Sequence, residues 1–219
     1  MYNNMSMNQL SILFMMFLYL DYILYCRVGM KKEHVTWIVG LTHHVPAIYF
    51  SYSVLSDTNS WENKESYVSP LSTGMICYTS AYFMYDVVVL MTRQSIVKHL
   101  DYYVHAIGCC SAYLYMFHAQ KYHYYGAGFL TWETSTPFLY LALWMSQNEK
   151  TDTLLFKLNS IALLSTFFIF RICFGTYFMF YMIWPHISLY FRIVSISLQV
   201  LNMTWFSKLA YKSVQYMLK

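Results

Sequence analysis

The sequence predicts an all-α membrane protein with about seven transmembrane helices. Three observations carry that prediction. Of 219 residues, 58% are hydrophobic and 11% charged, against about 25% charged in an ordinary soluble domain. Apolar runs of bilayer-spanning length recur along the whole chain. Lysine and arginine collect in alternate loops, the asymmetry that orients a multi-pass protein. The length suits one bundle with no separate soluble domain.

The first span covers residues 8–26. It lacks a basic leader and a small-residue cleavage pattern, so it reads as a retained helix. A basic loop with Arg27, Lys31 and Lys32 closes an N-terminal segment, 1–33. The second span, 34–55, carries His43, His44 and Pro46; an acidic polar loop, 56–69, follows. The third span, 70–91, opens on Pro70, a favoured first helical residue, and holds Asp86 toward its far end. The fourth, 100–118, places Asp101 and His105 on one face, four residues apart.

The fifth span, 125–146, contains Glu133 and Pro137. A glutamate at that depth is costly and should face a partner or a cavity. Pro137 shares its face and disturbs the backbone bond that would reach residue 133, while Thr134, Ser135 and Thr136 can satisfy the freed groups. The sixth apolar run, 153–184, would be roughly 48 Å long as a helix, so a break or bend is expected around Gly175 and an end before Pro185. The seventh, 186–206, repeats Arg192, Ser195, Gln199 and Asn202 as a polar stripe. The membrane domain thus covers 34–206, and a basic amphipathic tail covers 207–219.

Ten lysines and arginines fall in one set of loops and two in the other, with Arg171 and Arg192 inside spans. The expected N-terminus is lumenal or outside and the C-terminus cytosolic. Helical rise then sets depths. Asp86 and His105 lie at one level roughly 7 Å from the cytosolic side, with Asp101 at the rim. Glu133, Arg171 and Arg192 lie toward the other side, and His43 and His44 near the midplane. A carboxylate beside a histidine can build a general base, or simply tie two helices. Glu133 with Arg171 or Arg192 can form a structural ion pair. The binding candidates are therefore His43, His44, Asp101, Glu133, Pro137, Arg171, Arg192 and Gln199, and the catalytic candidates His105 and Asp86.

Other classes fit poorly. Basic residues are scattered rather than clustered, so no nucleic-acid partner is expected. The five cysteines form no CxxC pair, and the histidine spacings do not suit an iron or other metal site. Phosphate-binding glycine loops and serine-nucleophile elbows are absent. No internal repeat of the transporter kind is evident.

The ordered set Tyr85-Asp86, His105, Glu133-Thr134-Ser135-Thr136-Pro137 and Phe167-Phe168-Ile169-Phe170-Arg171 resembles the TLC-domain membrane proteins. These include ceramide synthases and the translocating-chain-associating proteins, and the resemblance runs over about 34–206. The Glu-x-Ser-Thr-Pro segment most resembles the family's poorly characterised branch. The resemblance implies six helices around a central polar cavity with the first helix peripheral. It also implies lipid-related work in the endoplasmic reticulum or a connected membrane. Ceramide synthases carry two adjacent histidines in span four and a His-Asp in span five; here Ala106 follows His105, and the fifth span reads Trp132-Glu133. The expected function is accordingly lipid homeostasis, through lipid binding, sensing or trafficking, with no cofactor and with membrane lipids or acyl chains as partners. The alternative is a lipid acyltransferase taking acyl-CoA as co-substrate, with His105 as base and Asp86 orienting it. The residues leave open whether any reaction is catalysed and what the oligomeric state is.

Overall fold

The computed structural model describes residues 2–183 and 187–217, and every regular element among them is helical. The expected end of the sixth span before Pro185 and the start of the seventh at His186 lie outside those residues. The chain forms two units, Met1–Gly128 and Phe129–Lys219.

In the first unit, α1 (Tyr2–Tyr22) ends in a π-helical turn, Ile23–Arg27. α2 (Lys32–Leu55), a short α3 (Thr58–Glu62), α4 (Pro70–Arg93), α5 (Leu100–Ala119) and α6 (His123–Leu130) follow. α4 is the hub, packed on α1, α2 and α5. Its start is fixed locally: the Ser69 hydroxyl accepts from the Ser72 amide, the Ser72 hydroxyl accepts in return from the Ser69 amide, and Pro70 sits in the first turn.

α2 continues unbroken through Pro46. Proline cannot donate to the carbonyl of Thr42 four residues back, and the Tyr78 hydroxyl of α4 donates to that carbonyl instead. One side chain thus completes the damaged ladder and joins two helices. α1 leaves Ile12, Met15, Met16 and Tyr19 well exposed, while Phe17 packs among Tyr78, Tyr82 and Tyr85 at centroid distances of 5.4, 5.5 and 5.9 Å. Its far end is fastened by Asp21. Buried, Asp21 accepts from the Tyr85 hydroxyl at 2.7 Å and forms a two-pronged ion pair with Arg93.

The second unit takes in the last two residues of α6, Phe129 and Leu130, and then a 3₁₀ segment, Thr131–Ser135, which leads into α7 (Thr136–Gln147). A single helical run then extends from Leu154 to Ile183 as α8 (Leu154–Thr166), a π-helical segment Phe167–Phe174, α9 (Gly175–Tyr177) and a second π-helical segment Phe178–Ile183. α10 (Leu189–Met217) closes the chain. The break expected around Gly175 does not occur. Gly175 is helical, at φ −59° and ψ −45°, and the hydrogen bonding widens to the π pattern on either side. Glycine serves close approach here: a Cβ at 175 would lie 2.8 Å from Trp132 Nε1 and 3.1 Å from Gln199 Oε1.

Three runs among the described residues are long and apolar enough to cross a membrane: Met7–Arg27, Pro70–Arg93 and Leu154–Phe180. The remaining expected spans are helical but more polar or interrupted. α2 carries two buried histidines, α5 begins with Asp101, the 3₁₀ segment divides 123–147, and α10 carries the buried Ser195, Gln199 and Asn202.

Candidate functional site

The second unit builds its polar centre where the 3₁₀ segment Thr131–Ser135, the π-helical segment Phe167–Phe174 and α10 meet. Pro137 lies in the first turn of α7. The preceding residues tighten into the 3₁₀ segment, in which the Thr136 amide donates to the Glu133 carbonyl, the acceptor that Pro137 would otherwise leave bare. This tighter winding presents the Trp132 carbonyl and the Ser135 and Thr136 hydroxyls to Arg171.

Arg171 projects from the Phe167–Phe174 π segment, and wide turns of this kind often mark functional positions. It is 5% exposed and uses nearly its whole guanidinium. Nε donates to the Trp132 carbonyl at 2.9 Å and to Ser135 Oγ at 3.0 Å. Nη2 donates to Thr136 Oγ1 at 3.0 Å and lies 3.6 Å from Glu133 Oε2. Nη1 reaches Asn202 Oδ1 at 3.3 Å, and the group stands 5.0 Å over the Phe167 ring. Thr136 relays the charge interaction, since its hydroxyl also donates to Glu133 Oε2 at 2.6 Å. Glu133 is therefore engaged as an acceptor rather than held ready as a base. Of the two arginines expected as its partner, Arg171 is the one placed beside it; Arg192 is half-buried, and its Nε donates to the Ile187 carbonyl.

α10 completes the site through Ser195, Gln199 and Asn202, each 2% exposed. Spacings of four and three residues put them on one face. Gln199 Nε2 donates to the Arg171 carbonyl at 3.1 Å and to Thr176 Oγ1 at 2.8 Å, which fixes the orientation of its amide. The Arg171 contact fixes Asn202 in the same way. The other half of each amide, Gln199 Oε1 and Asn202 Nδ2, has no hydrogen-bond partner among the described residues, nor do Ser195 Oγ and Trp132 Nε1. A buried polar atom left so costs about 1–3 kcal/mol.

The first unit holds the other candidates. His43 and His44 are buried with their Nδ1 atoms 3.2 Å apart, a contact that needs one ring as donor and the other as acceptor. His43 stacks on Tyr82 at 4.0 Å and 1° and meets Thr79 Oγ1 at 3.5 Å; His44 Nε2 meets the Tyr82 hydroxyl at 3.4 Å. Asp86 and His105 are half-buried on α4 and α5, helices that pack together. His105 lies edge-on to Phe83, with its ring nitrogens 3.9 and 4.0 Å from Cys109 Sγ. Asp101 Oδ1 accepts from the Tyr102 amide. Among the described residues no three His, Cys, Asp or Glu side chains gather as a metal site requires.

Sequence reasoning did not pair Asp21 with Arg93, and it placed His123 in a loop. Fully buried at the start of α6, His123 has Nδ1 2.9 Å from Ser72 Oγ. Burial pushes its pKa down to about 4, opposed by the Met116 carbonyl. A histidine depressed from its usual 6.5 contributes stability that is whole above that value. The contribution is lost as pH falls toward 4. Unfolding midpoints of the native chain and His123→Gln, measured from pH 7 to pH 4, are expected to converge on acidification. The differential is on the order of 3 kcal/mol, and parallel pH profiles would refute it.

A family model described as the TLC domain matches residues 33–211. An uncharacterised TLC domain-containing protein of Schizosaccharomyces pombe is 27% identical over 193 residues, covering 82% of this chain and 66% of that protein. A putative TLC domain-containing protein of Acanthamoeba polyphaga mimivirus is 33% identical over 135 residues, covering 59% of this chain and 64% of its own length. TLC domain-containing protein 1 of Rattus norvegicus is 29% identical over 100 residues, covering 45% and 40%. The chain thus spans less than two thirds of the length of these relatives, from 40% to 66%. No solved structure matches it.

Proposed function

The chain belongs to the TLC-domain family, and from that premise we propose that it serves lipid homeostasis by binding, sensing or moving membrane lipids. The carrying observation is the buried Glu133–Arg171 constellation. Both charges are consumed in holding a polar centre together, which suits a binding scaffold better than a reaction centre. The departures from the ceramide synthase pattern at Ala106 and Trp132-Glu133 point the same way.

In this reading the helical stretches make about seven spans, six of them around a central polar cavity. The N-terminus is lumenal and the C-terminus cytosolic, in the endoplasmic reticulum or a connected membrane. The loop charge asymmetry supports that orientation. A tag after Lys219 is then digested by protease in sealed, cytosol-side-out vesicles; a protected tag reverses the assignment.

The functional test is lipid analysis of the full chain purified in nanodiscs, together with incubation with labelled acyl-CoA and mixed acceptors. Specific lipid retention without labelled product supports binding. A labelled product lost in both His105→Ala and Asp86→Asn, with each variant folded, replaces this reading with the acyltransferase one.

A further inference from the structure

We infer that α10 carries an interface for a second copy of this chain, and that two copies pair in the membrane through a row formed by Leu189, Ile193, Ile196, Val200 and Met203. The inference takes α10 as a membrane-spanning helix. It does not depend on which lipid function the chain serves.

Three observations carry it. The first is the split character of α10. Phe191, Ser195, Leu198, Gln199 and Asn202 are buried, whereas the five residues of the row are 40–71% exposed. The row advances by four, three, four and three residues, the a and d positions of a repeat of about 3.5 residues. The same register continues through the exposed Ser207 and the half-buried Ala210, past the end of the seventh apolar run.

The second is what the row excludes. The three charged residues of α10, Arg192, Lys208 and Lys212, all fall off it. Ser197 and Thr204 flank it, and each turns its hydroxyl back to its own helix: Ser197 donates to the Ile193 carbonyl and Thr204 to the Val200 carbonyl, both at 2.9 Å. The flank is therefore small and its donors are satisfied, the condition under which helices approach closely in a membrane.

The third is residue type and extent. The a positions Ile193 and Val200 are β-branched, while Leu189 and Met203, at two of the three d positions, are not. That distribution favours two parallel strands. Copies inserted in one membrane share one orientation, so a two-fold axis along the membrane normal sets the two α10 helices parallel, each row residue opposite its own counterpart. Covering the row on both copies buries on the order of 1,000 Å², the size a specific interface needs. Within lipid the gain comes from packing rather than from escape from water. A partner must therefore match the register, and a second copy does so by symmetry.

The test reads energy transfer between full chains labelled at the C-terminus, in liposomes at rising protein-to-lipid ratio. Transfer is expected to saturate at low ratio. Ile196→Trp/Val200→Trp, which enlarges two exposed positions, is expected to need at least a tenfold higher ratio. Transfer that only grows in proportion to protein density, or is the same in native and variant chains, overturns the interface. A crosslinking readout keeps the row intact and decides the matter if that variant fails to fold. In a Cys26→Ser/Cys173→Ser background, which removes the two exposed thiols, Met203→Cys is expected to form disulfide-linked pairs at least tenfold faster than Leu158→Cys, a comparably exposed position on α8. Equal rates mean random collision and overturn the inference, and a faster Leu158→Cys places the contact on α8 and does the same. If Met203→Cys in cell membranes crosslinks only to a different protein, the row serves a foreign helix and the inference falls.

Discussion

Replacing Arg171 with methionine is expected to destabilise the protein by about 3–5 kcal/mol, the cost of stranding one member of a buried ion pair. The variant leaves Glu133, 6% exposed, with the Thr136 hydroxyl but without its cation. It also strips donors from the Trp132 carbonyl, Ser135 and Asn202. Arg171→Lys should recover little. A lysine ammonium is a compact point charge, whereas these acceptors surround a planar fork on several sides. Glu133→Gln combined with Arg171→Met should be more stable than Arg171→Met alone, because no charge is then stranded. Thermal unfolding of the detergent-purified proteins, read by size-exclusion of the surviving fraction, orders the variants. An Arg171→Met protein as stable as the native one would show that the guanidinium does not hold this centre together.

Gly175→Leu is the second large effect, a loss of about 3 kcal/mol from overpacking. The added Cβ lies 2.8 Å from Trp132 Nε1 and 3.1 Å from Gln199 Oε1 before any further atom is placed. Neither neighbour moves freely: the Trp132 ring meets Phe129 at 5.0 Å, and the Gln199 amide is held by the Arg171 carbonyl and Thr176. Gly74 in α4 is the matched control. A Cβ there meets nothing within 4 Å, so Gly74→Ala should stabilise by about 0.5–1 kcal/mol through helix propensity alone. Midpoints moving in opposite directions support the close approach at 175; midpoints moving together remove it.

The helical stretches were legible because their signals are local: apolar runs, Pro70 at a helix start, and Pro137 behind a run of threonine and serine. The 3₁₀ winding of Thr131–Ser135 follows from that proline. What stayed hidden depends on packing between distant segments. In the sequence Asp21 lies near the end of the first apolar run and Arg93 just past the third, yet they pair across the α1–α4 contact. Depth along the helices leaves both Arg171 and Arg192 on the same side as Glu133, and only side-chain packing separates them. Gly175 suggested a bend because the run was too long for one level span. In the folded chain the same glycine admits an indole and an amide against a continuous helix. The stripe on the last helix could be read from spacing, but not which half of each amide would be committed.

The length of α10 has a mechanical consequence. Its 29 residues make a rod of about 44 Å, longer than the roughly 30 Å of hydrocarbon in a bilayer. Lys208 and Lys212 are exposed on the same unbroken rod as the buried Ser195, Gln199 and Asn202. Wherever the headgroups hold those lysines, the polar row is set at a fixed depth, roughly 20 Å from Ser195 to Lys208. A thinner or thicker membrane cannot be absorbed between the two levels by bending a hinge, so it must tilt the rod or shift the row. The polar row and the two lysines are therefore displaced together, as parts of one rod.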